Sequence, residues 1–109
     1  MSEEIKVQRS GGNVFADLGL ENSDELLVKA ELAYKISSII TKLGITQVEA
    51  AKLLGIDQPK MSALINGKLS GFSTVRLFRF LNSLGRDVEI VVKDKPKSRF
   101  LARTQVVSS

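Results

Sequence analysis

Residues 46–68 read TQVEAAKLLGIDQPKMSALINGK. Two short apolar-periodic runs are hinged at Gly55, and a second glycine, Gly67, closes the pair. Thr46 opens the first run and Glu49 follows three residues later, the pattern of a reciprocal capping box. Leu53 and Leu54 supply apolar contacts, and Gly55 stops the helix. The next helix is predicted to start at Asp57, run through Met61, Leu64 and Ile65, and finish at Gly67. Two helices meeting at a sharp angle need a small residue where they approach and a turn residue that tolerates positive φ. Ala51 and Gly55, four apart, fall where those needs fall. Ile56, Met61 and Leu64 are then expected to point inward, which leaves a polar first turn on the second helix.

Working outward, Ser23 is an expected N-cap, and Asp24 and Glu25 suit the positive end of a helix dipole. Leu26, Leu27, Ala30, Ala33, Ile36, Ile40 and Leu43 follow at helical spacing until Gly44, predicting a helix of about 30 Å. Beyond the central pair, Ser73 is the expected cap of another helix, with Phe72 and Leu77 at the positions of a hydrophobic staple. That helix is predicted to bury Leu77, Phe78, Leu81 and Leu84 and to end at Gly85. Arg76 and Arg79 lie one turn apart beside Phe80. Their plain reading is a solvated basic edge with a half-buried ring, and a phosphate or partner contact is the alternative.

DVEIVVK (87–93) reads as a strand with Val88, Ile90 and Val92 on one face. A lone strand leaves its backbone groups unpaired, so it needs a neighbour. EIKVQ (4–8), RTQVV (103–107) and the same strand of a second copy are the choices. The boundaries expected are an N-terminal extension (1–12), one domain (13–93) and a basic C-terminal tail (94–109), whose plain reading is mobile.

The chain has 109 residues, a length that suits one domain able to bury about 65% of its unfolded surface. It contains no cysteine and no histidine. Disulfides, thiolate metal sites and histidine-based acid–base chemistry are therefore unavailable, and no nucleophile–base pair can be read. The expectation is a non-enzyme with no cofactor and no metal. No apolar run approaches membrane-spanning length, and the start resembles no signal peptide, so a cytoplasmic setting at the nucleoid is expected. The net charge of +4 is unevenly spread. Residues 1–31 carry seven acidic and three basic side chains, a net −4, whereas residues 32–109 carry five acidic and thirteen basic, a net +8. The acidic end suits a cationic partner and the remainder suits a polyanion.

TQVEAAKLLGI and QPKMSALINGK resemble, without a gap, the two helices of the Cro/phage-repressor (XRE) helix-turn-helix superfamily. NVFADLGL (13–20) before the first helix and GFSTVRLFRFLNSLGRDVEIVV (71–92) after the motif resemble its HigA-type antitoxin branch. The resemblance spans roughly residues 13–93. It implies a mostly α, lambda-repressor-like domain of about four helices plus a C-terminal β-strand, in which the later helix of the motif enters the major groove.

The resemblance also implies site residues. Gln47 opens the first helix of the motif, where a backbone phosphate is commonly bound. Gln58 opens the recognition helix, where its amide can pair bidentately with adenine. Lys60 and Ser62 occupy groove-facing positions, Lys60 with reach to guanine or a phosphate. Ala63 can meet a thymine methyl, and Asn66 and Lys68 match backbone-contact positions. Pro59 departs from the family pattern, because it cannot donate to a base, although it suits a first helical turn. Ala50 departs too, standing where a larger apolar side chain is more usual. Asp57 reads as a cap rather than a contact.

The function so implied is a sequence-specific, homodimeric repressor of a near-palindromic operator in double-stranded DNA. The branch adds autoregulation of a toxin–antitoxin operon and a cationic ribonuclease toxin as partner. The plain reading of the acidic N-terminal third is a helix cap and a solvated face, and cover for such a toxin is the alternative. An autonomous XRE regulator without a toxin, and a protein-interaction adaptor that does not bind DNA, are the alternatives.

Overall fold

A computed structural model of the protein describes residues 23–108. Among them are four α-helices: α1 (Ser23–Leu43), α2 (Gln47–Leu54), α3 (Gln58–Ile65) and α4 (Thr74–Ser83). The segments 4–8 and 13–20 lie outside the described residues. No helix of the described residues is long and apolar enough to cross a membrane.

Local chemistry sets the helix limits. The Thr46 hydroxyl accepts the Glu49 N–H at 3.1 Å while the Glu49 carboxylate accepts the Thr46 N–H at 2.8 Å, completing the expected capping box. Asp57 caps α3 through the Lys60 N–H, and Ser73 caps α4 through the Arg76 N–H. Gly44, Gly55, Gly67 and Gly85 all have positive φ, so each predicted stop falls on a left-handed residue. At the end of α2, Gly55 N–H donates to the Lys52 carbonyl and Ile56 N–H reaches back to the Ala51 carbonyl at 3.0 Å. That paired arrangement consumes carbonyls that would otherwise be orphaned and turns the chain sharply into Asp57.

The core is an apolar cluster drawn from all four helices and Phe72, with no buried polar side chain among the described residues. Ile36 of α1, Met61 and Leu64 of α3, and Leu77 of α4 are its largest fully buried side chains. Burial of each contributes about 1.5–3 kcal/mol. Ala50 and Ala51 are both buried, so the backbone of α2 comes close to its neighbours. Phe72 meets Phe80 edge-to-face, with centroids 5.9 Å apart at 75°. Such a pair adds about 0.5–1.5 kcal/mol beyond burial.

Expected apolar faces are corrected in three helices. In α1 the buried stripe is Val28, Leu32, Ala33, Ile36, Ile39 and Ile40, whereas Leu26, Leu27, Ala30 and Leu43 are exposed. Both stripes have helical spacing, and packing of α4 against α1 selects the first. In α4 the buried ring is Phe80, only 4% exposed, while Phe78 is half-buried. Phe80 is chosen because Phe72, on the preceding loop, presents a ring to it. Leu53 of α2 also faces outward, leaving Leu54 as the anchor.

Among the described residues there is no strand. Residues 87–93, the expected strand, run irregularly: Val88 packs against the core, while Ile90 and Val92 are 72% and 92% exposed. Nothing among residues 23–108 supplies the second backbone that a ladder requires. Further on, the chain returns to α1. Thr104 N–H donates to the Asp24 carboxylate at 2.8 Å, Lys35 donates to the Ser108 hydroxyl, and Val106 packs on the core between them.

Candidate nucleic-acid interface

Helices α2 and α3 are eight residues each and are joined through Gly55, Ile56 and Asp57. Gly55 has φ 73°, and a Cβ placed there would meet nothing within 4 Å. Its requirement is thus torsional rather than steric: the left-handed turn needs a residue without a Cβ penalty. Ala51, buried one turn earlier, supplies the small side chain.

The orientation of α3 follows from its anchors. Met61 and Leu64 are buried, and at about 100° per residue the direction opposite them is occupied by Pro59, Ser62, Ala63 and Asn66. Pro59, Ser62 and Asn66 are exposed, and the Asn66 amide donates to the Ser62 hydroxyl at 3.3 Å. Ala63 is half-buried against the edge of the core, so its methyl is only partly presented. Gln58 is exposed at the first helical position, on the flank toward Ile65. In the first turn, Pro59 has no N–H and Asp57 takes that of Lys60, which leaves Gln58 as the amide directed beyond the helix end.

Lys60 leaves that outward face. It is half-buried, its Nζ lies 5.5 Å from the centroid of Phe72, and a Cβ at Gly71 would sit 3.8 Å from it. The Arg76 guanidinium lies 5.6 Å from the centroids of both Phe72 and Phe80. Lys60 and Arg76, sixteen residues apart, therefore share one aromatic ring at the side of α3. The sequence marked the arginine but not this meeting, because the contact depends on how the 66–72 loop folds back.

Gln47 is exposed at the first position of α2. The N–H groups of Gln47 and Val48 precede the Thr46–Glu49 cap bond and point past the helix end, a geometry suited to an anionic oxygen. Lys68 is exposed, and its N–H bonds the Ala63 carbonyl at 2.8 Å, which fixes its backbone directly after α3. Gln47, Gln58, Pro59, Ser62, Asn66 and Lys68 are thus all solvent-accessible on the α2–α3 unit. No group of three or more Asp or Glu side chains positioned to hold a metal ion occurs among the described residues.

Two short capped helices, a left-handed glycine between them and a polar outer face on the second define a helix-turn-helix unit. The helix-turn-helix domain family matches residues 14–93. A solved structure described as an XRE-family transcriptional regulator is 48% identical, with a TM-score of 0.77 over 80% of this chain and 98% of that one. No curated protein matches the sequence. The chain belongs to the XRE family of helix-turn-helix proteins.

Proposed function

We propose that the protein is a DNA-binding transcriptional regulator that acts as a homodimeric repressor, and that it is the antitoxin of a toxin–antitoxin pair controlling its own operon. The observation that carries DNA binding is the outer face of α3, which exposes Pro59, Ser62 and Asn66 with Gln58 on its flank and is held outward by Met61 and Leu64. In this reading α3 lies in a major groove, with Gln58 pairing to adenine and Ser62 at the base edges. Gln47, Asn66 and Lys68 hold flanking phosphates.

Dimerisation is supported by residues 90–92, whose apolar side chains are exposed and whose backbone lacks a strand neighbour among the described residues. Pairing of this segment across a two-fold axis gives half-sites about 34 Å apart on a near-palindrome. The antitoxin role rests on the resemblance of the flanking segments and on the acidic balance of residues 1–31, which suits a cationic ribonuclease.

Selection of bound duplexes from a random pool, followed by co-purification from the native host, tests the whole reading. A near-palindromic consensus and a co-purifying basic protein are the expected results. A consensus without a protein partner would leave an autonomous regulator. Failure to retain any duplex at low salt, alongside a stable protein complex, would replace the reading with an adaptor.

A further inference from the structure

We propose that Lys60, Arg76 and Phe72 form a preassembled clamp for one DNA backbone phosphate beside α3. The inference rests on the DNA-binding reading above and, of the guanine and phosphate contacts within reach of Lys60, takes the phosphate. Three observations carry it. Lys60 and Arg76 come from different helices, yet each stands within 5.6 Å of the centre of the same ring. Neither side-chain cation has a carboxylate partner among the described residues, where the salt bridge formed is Lys29–Glu25. Arg76 is also held against Phe80, whose ring lies edge-on to Phe72, so its guanidinium is restrained by two packed aromatics.

The ring quadrupole holds both cations near Phe72 without neutralising either, so their charge remains available to an anion. Restraint of the guanidinium before binding lowers the ordering cost of the contact. The start of α4 adds to the same neighbourhood: Ser73 satisfies the Arg76 N–H, and the Thr74 and Val75 N–H groups precede that bond and lie at the positive end of the helix. Because Lys60 is in the first turn of α3, a phosphate held here belongs to the strand bordering the groove that α3 enters. The clamp fixes how deeply Gln58 can reach.

The test uses the full chain and a mixed-sequence duplex, with binding followed by fluorescence anisotropy across a salt series. Arg76→Gln should weaken binding several-fold and reduce the slope of log affinity against log salt by about 0.9, the share of one phosphate. Arg79→Gln removes the same charge from the exposed side of α4 and should leave the slope near that of the unaltered protein. Arg76→Lys should retain most of it. Phe72→Leu, which changes no charge, should flatten the slope as Arg76→Gln does, with thermal melting used to establish that it is folded. If it is unfolded, the two arginine-to-glutamine substitutions decide.

Equal slopes for Arg76→Gln and Arg79→Gln would overturn the clamp while leaving DNA binding intact. No binding by the unaltered protein at the lowest salt would overturn the DNA reading, and the clamp with it. A shift of the Arg76 Nε–H resonance by inorganic phosphate at matched ionic strength, as large as that by the duplex, would assign the site to a free anion and also overturn the proposal.

Discussion

The Asp57 carboxylate accepts the backbone N–H of Lys60 at 2.9 Å, so the residue that starts the reading helix is an anion beside a surface proposed to meet polyanionic DNA. Its structural and electrostatic effects oppose one another and can be separated. Asp57→Ala should lower stability by about 1 kcal/mol, because the first turn loses its cap. Asp57→Asn keeps a capping oxygen, should cost less than about 0.5 kcal/mol and should tighten DNA binding, because a repulsive charge is gone. Urea denaturation and duplex titration of the two variants measure these effects; weaker binding by Asp57→Asn would contradict the assignment.

Gln58 is exposed at the first position of α3, and its side chain makes no hydrogen bond among the described residues. Gln58→Ala should weaken binding to the selected operator by about 1–3 kcal/mol and leave binding to mixed-sequence duplex nearly unchanged. An equal loss on both DNAs would show that its contact is to the backbone.

Gly55 adopts φ 73° in open space. Gly55→Ala should therefore destabilise the fold through backbone torsion alone, by about 1–2 kcal/mol. Gly55→Asn should cost less, since asparagine tolerates the left-handed region. A larger loss for Asn than for Ala in denaturant titrations would point to crowding at the turn instead.

Ile90 and Val92 are exposed in the single chain, so replacing them leaves its core untouched. The double substitution Ile90→Lys, Val92→Lys should give a monomer by sedimentation with little change in the melting of the monomeric domain. It should also weaken operator binding more than binding to a single half-site. A persistent dimer would place the interface elsewhere.

The helix limits were legible because their causes are local: Thr46, Asp57 and Ser73 cap within three residues, and each glycine stop needs only its own φ. The inward setting of Met61 and Leu64 was legible from spacing for the same reason. What escaped depends on partners distant in sequence. Phe80 displaces Phe78 because Phe72 offers it a ring, and Val28 displaces Leu26 because α4 lies on that side of α1. Residues 104–108 read as part of a basic tail, yet Asp24 and Lys35 each receive or supply a hydrogen bond there across more than seventy residues. Lys60 was placed toward the groove by its position in the motif, and only the folded loop brings Gly71 and Phe72 beneath its side chain.

Helix α3 is fastened by Met61 and Leu64, and neither side chain reaches the surface that Gln58, Pro59, Ser62 and Asn66 occupy. The residues that hold it to the domain and those on the surface proposed to meet DNA are therefore different. Combinatorial randomisation of those four outer positions should yield a large share of folded members, so that a change in DNA preference can be scored free of any change in stability.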